Sequence, residues 1–332
     1  MPSFYAHNRF GKEVCKELPK EIHQIIQEYP SAYKAGLQGP DFLFFYRPFL
    51  PCHVNTLGHA QHKQSFLPFL ETVRSSIRKK GRHCPEYAYL LGFICHFMLD
   101  SEAHTYVNEK AKEKGFNHLV MEIEFDRYLM KKDGIQPFLY PLWRHIRWDN
   151  QTLQAVYGVY RHFDLTPRDV KKSLQSMAFY KWLVTTGKTL RRLILRSLML
   201  LSLHYRKLEG HMMDLIPKAS AKETNPVLSK IYQSTLAPCR DIIIDFDKTF
   251  LNGKPLNPRF QTTFQKREWL ALSAIVLILT TISSMNSLYD FSAHIVCVCV
   301  PPAVCQRNTK IPQTPIPAVS SKNIPHLPAV AL

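Results

Sequence analysis

The sequence predicts an all-α, multi-helix bundle, and three observations carry that expectation. Residues 87–99 contain no permanent charge, so a helix there is apolar on every side and belongs inside a core. Within and just beyond that run, His96, Asp100 and His104 follow one another at intervals of four, which sets all three on one helical face, roughly 5 to 6 Å apart at their Cβ atoms. Helix start and stop signals then punctuate the chain: Pro85 and Gly115, Asn117 and Gly134, Thr166-Pro167 and Gly187.

Taken in order, residues 9–28 read as helix divided by Pro19 and ended by Tyr29-Pro30, with His7 just ahead of it. Gly39 and Pro40 force a turn before Asp41, which reaches the edge of the core either as a ligand-type group or as a turn and N-cap residue. The aromatic run Phe42, Phe44, Phe45 and Tyr46 either packs in the core or lines a lipid-facing entrance. Residues 48–62 read as loop holding His53, His59 and His62. His62 opens the next helical pattern and is favoured to point inward, with His59 as the substitute.

The central helix spans 85–114, and its charged last turns place the histidine-bearing stretch where burial gives way to solvent. Asn117 caps a second helix closed by Gly134, in which His118 and Glu122 repeat the four-residue step and Asp126 continues the same face. The short turn at Gly115 and Phe116 folds the two helices antiparallel, which brings His118 and Glu122 beside His104. A buried carboxylate costs several kcal/mol unless it is paired or holds a cation. Convergence of imidazoles and carboxylates in an apolar interior therefore points to a metal site.

Weaker helical pieces over 137–164 carry Trp143, Trp148, Tyr157 and Tyr160 for core packing, and a further helix starts at Thr166-Pro167. Residues 188–207 set Lys188, Arg191, Arg192 and Arg196 ahead of the apolar run 198–203. That piece is either a buried bundle helix with a basic end or a helix lying on an anionic membrane surface. A last long helix begins at Asn225-Pro226, breaks at Pro238 and reaches Leu251. Residues 269–289 carry no charge, follow Lys266 and Arg267, and match the length of a membrane span; the Pro-rich end after them reads as disordered. The expected division is a helical domain over 1–255 and a tail over 256–332.

With 45% hydrophobic residues the chain can bury a large core, and its net charge of +17 suits anionic partners such as phospholipid surfaces, phosphate esters or nucleic acid. The first twenty residues lack the apolar stretch of a signal peptide, and the cysteines form neither a CxxC pair nor a disulfide framework. A reducing, cytoplasmic setting is expected, with membrane association through the C-terminal segment. GxGxxG, GxxxxGK[ST] and GxSxG are absent, so nucleotide binding of those types and serine-hydrolase chemistry have no support.

The ordered series of His7, Asp41 in Gly-Pro-Asp, His62, then His96, Asp100 and His104 on one helix and His118 and Glu122 on the next resembles the zinc-dependent phospholipase C family, which also includes the S1/P1-type zinc nucleases. The resemblance covers roughly residues 1–250 and implies an α-helical fold around two or three Zn²⁺ ions. One ion would take Asp41, His62, His96 and Asp100, a second His104, His118 and Glu122, and a third would share Asp100 and use His7. Secreted members add a processed N-terminal tryptophan at the third metal, where this chain reads Met-Pro-Ser. The activity implied is phosphodiester hydrolysis by metal-activated water, with Asp41 positioning that water or taking its proton, on phospholipid in preference to nucleic acid. A P1-type nuclease and a non-catalytic helical metal-binding protein are the alternatives. A di-iron carboxylate bundle is disfavoured because most of the ligand-type groups are histidines.

Overall fold

The computed structural model describes residues 4–47, 52–202 and 205–264 of the chain. Its α-helices in chain order are α1 (Phe4–Lys16), α2 (Lys20–Glu28), α3 (Pro30–Gly36), α4 (His53–Lys63), α5 (Phe66–Ile77), α6 (Pro85–Lys114), α7 (His118–Lys132), α8 (Asn150–Tyr160), α9 (Pro167–Val184), α10 (Thr189–Leu201), α11 (Tyr205–Leu208) and α12 (Ala221–Phe250). Among the described residues there is no β-strand, only an isolated bridge between Ser65 and Thr263. The fold is all-α.

The uncharged stretch of the sequence sits at the axis of this arrangement. Residues 85–101 of α6 are all buried, and α1, α3, α8 and α12 pack around them. Two glycines make the closest of these approaches. A Cβ on Gly36 would collide with the carbonyl of Tyr89, and one on Gly92 with the carbonyl of Tyr33, so α3 and α6 cross backbone against backbone where neither has a side chain. On the other flank Tyr87 donates through its hydroxyl to Asp247 on α12 at 2.5 Å. The helix ends at Gly115, whose φ of 62° is the left-handed stop its sequence position suggests.

Several boundaries differ from the sequence reading for identifiable reasons. His7 lies inside α1, because the helix starts at Phe4. Its first turn needs no capping residue of its own: the carboxylate of Asp126, on α7, accepts from the N–H groups of Tyr5 at 3.0 Å and Ala6 at 2.7 Å. Residues 53–63 form α4, and His62 stands in its last turn and does not open the next helix. The actual start signal is Ser65, whose hydroxyl accepts from Leu67 N–H at the head of α5. Helix α12 runs through both Pro226 and Pro238. The lost hydrogen bond at an internal proline costs ~3 kcal/mol, less than is gained by burying Leu228, Tyr232, Ile242, Ile243, Phe246 and Phe250 along one face.

Trp148 is exposed and takes no part in the core, while Tyr160 is buried as expected. Phe42, Phe44, Phe45 and Tyr46 are buried too, so the aromatic run packs inside and lines no entrance. Helix α10 is not the buried bundle helix of the first alternative: only Arg192, Leu195 and Met199 are buried, and most of its leucines face solvent.

Residues that follow position 255 also pack into the core. Leu256, Phe260 and Phe264 are buried in the same core as α5 and α6; the Phe260 ring packs on Phe66 and Phe97, and Phe264 on Phe93 and Phe97. The uncharged 269–289 segment and the Pro-rich end lie outside the described residues. Among the described residues no helix is long and apolar enough to cross a membrane.

Candidate metal centre

Five elements deliver the ligand-type groups. Helix α6 presents His96, Asp100 and His104 one turn apart, all buried. Helix α7, folded back after Gly115 and capped by Asn117, whose side chain accepts from the N–H groups of Leu119 and Val120, presents His118 and Glu122. Helix α1, held at its first turn by Asp126, presents His7. The short 3-10 helix Asp41–Phe45 presents Asp41, and the last turn of α4 presents His62. Seven of these eight groups are buried; His118 is partly open to solvent.

Gly39 positions the Asp41 turn. Its φ is +51°, and a Cβ there would overlap the His96 imidazole, so the chain can bend left-handed and pass against the ring only at glycine.

The groups form three adjoining sets: Asp41, His62 and His96; His7, His96 and Asp100; and His104, His118 and Glu122. Within each set one ligand atom per residue lies within 4.8 Å of the others. Atoms bound to one zinc at about 2.0–2.2 Å lie up to roughly 4.4 Å from one another, so each set is close to the size that one ion needs. His96 belongs to two sets and joins them. The structure brings His62, and not His59, to Asp41; the His59 ring instead lies 5.1 Å from that of Phe44. Asp126 does not join any set, because both its oxygens are committed to the start of α1.

Hydrogen bonding orients the rings in a consistent way. The Nδ1 atoms of His62, His96 and His104 face the carbonyl oxygens of Gly58 (2.8 Å), Leu37 (3.3 Å) and Phe264 (3.1 Å). With Nδ1–H donated to a carbonyl, each ring turns its Nε2 inward. There His62 Nε2 meets Asp41 Oδ1 at 3.2 Å, His104 Nε2 meets Glu122 Oε1 at 3.0 Å, and His96 Nε2 has no hydrogen-bond partner among the described residues. His118 Nε2 reaches the same Glu122 oxygen at 2.9 Å. His7 Nε2 lies 3.2 Å from Asp100 Oδ1, with its ring stacked on His96 at 4.3 Å. A backbone carbonyl behind His62, His96 and His104, with carboxylates before them, is the arrangement that fixes imidazoles for a metal, and these residues fit zinc.

The electrostatics follow from burial and crowding. Burial acts to raise Asp100, but His104, His96 and His7 outweigh it and hold the carboxyl well below its usual range. Glu122 is also held low, by His118 and His104 against its burial. Burial and neighbouring His7 push His96 down to about 4, so it stays neutral. His104 goes the other way: burial would lower it, yet Asp100 and Glu122 raise it to about 9. Asp126 rises to about 6 through burial, in spite of the two N–H groups it accepts.

Residues 6–182 match the family model described as Zinc dependent phospholipase C. The chain belongs to the zinc dependent phospholipase C family. Neither a curated protein nor a solved structure matches it. All eight ligand-type residues fall inside the matched span, and membership makes the protein, at the level of the family, a zinc-dependent hydrolase of the phospholipid type whose histidine and carboxylate clusters fit zinc.

The sequence reading gave no role to Phe264, Tyr180, Lys181 or His211. Phe264 acts through its carbonyl and its ring, which lies 5.3 Å from His62 and 5.9 Å from His96; a backbone oxygen leaves no sequence signal. Tyr180 and His211 are buried with rings 5.7 Å apart, and Tyr180 Oη and His211 Nε2 lack hydrogen-bond partners among the described residues. Lys181 lies beside Phe4; burial lowers its ammonium, and Asp126, Asp41 and Glu122 counteract that. A lone basic residue in an amphipathic helix such as α9 gives no hint of this role. A pocket of about 30 Å³, room for about one water-sized species, opens against His7, Asp100, His104 and Glu122 between α1, α6, α7 and α12.

Proposed function

We propose that the protein is a phospholipase C that hydrolyses the phosphodiester between the glycerol and the phosphate of a phospholipid. One observation supports this above the rest: three histidines donate Nδ1–H to backbone carbonyls and turn Nε2 toward carboxylates, in three sets of ligand-type atoms, two of which share His96. Zinc, when bound, supplies a water acidified toward neutrality and a positive charge for the phosphoryl oxygens.

In this reading His62, His96, His104 and His118 hold their rings ready through Nε2, and Asp100 and Glu122 balance the charge of the site. Asp41 orients the attacking water and accepts its proton. The water oxygen bonds to phosphorus, the bond to the glycerol oxygen breaks, and the proton passes to that departing oxygen. Lys181, whose charge faces Asp41, Glu122 and Asp126, adds positive charge for the phosphate. The partly exposed side of His118 marks the direction from which substrate approaches.

The test uses the full chain with monomeric short-chain phosphatidylcholine and, separately, single-stranded DNA and RNA. Release of phosphocholine, lost on chelation and restored by zinc, with no nucleic-acid cleavage, is the expected outcome. Cleavage of nucleic acid alone would make the protein a nuclease of the same fold. Bound zinc with no turnover on any phosphodiester would make it a metal-binding protein without hydrolytic activity.

A further inference from the structure

Helix α10 is apolar on both its sides. Its buried side carries Leu195, Met199 and Arg192, whose guanidinium donates to the carbonyls of Thr186 at 3.0 Å and Met213 at 2.6 Å and lies 5.1 Å from the Phe138 ring. Its outer side carries Leu190, Leu193, Ile194 and Leu201, with 70, 61, 48 and 76% of their surface exposed. At 100° per residue these four fall on one stripe. Leu215 and Ile216, 58 and 80% exposed, follow Met213 and Asp214, which Arg192 and Arg196 of α10 bind, and Phe179 and Trp182 of α9 are exposed nearby in sequence, their rings 5.6 Å apart. An apolar patch of this extent on a protein in water marks a surface that something else covers.

The charges around it indicate what. Residues 188–201 include Lys188, Arg191, Arg192 and Arg196 and neither Asp nor Glu. Lys188 is exposed, and Arg191 lies over the Trp182 ring at 4.3 Å. We propose that the outer face of α10, with Leu215 and Ile216, docks on an anionic phospholipid bilayer, leucines below the headgroups and Lys188 and Arg191 at the phosphates. Charge argues against two other occupants. A second copy would oppose the same basic residues to one another. The chain's own apolar segment 269–289 carries no acid, and its flanking residues Lys266, Arg267, Glu268 and Asp290 cancel, so it offers no net negative charge to the basic rim.

The patch and the metal centre share α7. Gly210 packs against Leu119 and Val120 at the start of that helix, next to His118, and Arg127 farther along it donates to the carbonyls of Asp214 and Leu215. The inference rests on the phospholipase reading for its biological sense, since docking brings the site to a substrate held in a bilayer, but its test does not.

The experiment floats the full-length, zinc-loaded chain with vesicles of phosphatidylcholine alone or mixed with phosphatidylglycerol, alongside the double variant Leu193→Glu, Ile194→Glu. The wild type is expected to bind the anionic vesicles, with binding weakened by salt, and the variant to lose affinity at least about tenfold. Hydrolysis of vesicle lipid falls with it, while turnover of monomeric short-chain phosphatidylcholine is unchanged. Equal binding by wild type and variant, or no vesicle binding by the wild type, overturns the proposal. So does a wild-type dimer that the variant breaks, which assigns the face to a second copy. Loss of vesicle binding in the variant, with no hydrolysis of any phospholipid by either protein, leaves docking standing and removes the phospholipase reading.

Discussion

At the scale of single residues, the site is a problem of where protons sit. His62, His96 and His104 are each held by a backbone carbonyl at Nδ1, and His104 lies between Asp100 at 3.4 Å and Glu122 at 3.0 Å. Against an ordinary value of about 6.5, its folded value of about 9 means that the metal-free chain carries a proton there at neutral pH. Zinc must displace it. Apparent zinc affinity is therefore expected to rise with pH up to about 9 and then level off, with about one proton released on binding at pH 7.5. Calorimetry in buffers of different ionisation enthalpy reads this directly; the release should disappear in His104→Ala. For folding of the metal-free chain the sign is reversed: the protonated His104 contributes stability in full below about 6.5, and that is lost as pH rises through about 9. The four-residue spacing was enough to place His96, Asp100 and His104 together, because a helix turns neighbours at that interval to one face. What held their Nδ1 atoms was not legible, since two of the three carbonyls come from distant segments, Leu37 and Phe264.

At the scale of elements, legibility followed local chemistry. Helices α6, α7 and α9 begin and end where Pro85, Gly115, Asn117 and Thr166 place them, Thr166 closing a capping box with Asp169. Where an element depends on distant partners, local signals misled. Helix α1 starts early because Asp126 caps it from α7, and α12 ignores Pro238 because its apolar face is buried. The stretch 256–264 resembles a linker, yet its aromatic residues fill the core behind α5 and α6. In the full chain Phe260→Ala is expected to cost about 3–5 kcal/mol of stability, measured by denaturant unfolding. A loss below about 1 kcal/mol, the range of an exposed substitution, would return that segment to the tail. The apolar and basic make-up of α10 was visible in its composition but not its consequence, because only the fold reveals that Arg192 is buried with Leu195 and Met199 while Leu190, Leu193, Ile194 and Leu201 face out.

At the scale of the whole molecule, an axial helix with no permanent charge over 87–99 forces the remaining helices to wrap it, and its ligand-type groups then have to be satisfied from the surrounding elements. Residues far apart in sequence, His7, Asp41, His62 and Glu122, supply that satisfaction in three adjoining sets. The chain's positive charge and its outward-facing α10 extend the same logic to an anionic substrate surface. The central claim is that this convergence exists to hold zinc. Elemental analysis of the purified full-length chain, with X-ray absorption at the zinc edge, tests it most directly. Two to three zinc ions per chain, matching the adjoining sets, coordinated by nitrogen and oxygen alone and falling in number on His96→Ala, is the expected result. Less than one ion per chain after loading, or sulfur among the ligands, would contradict it.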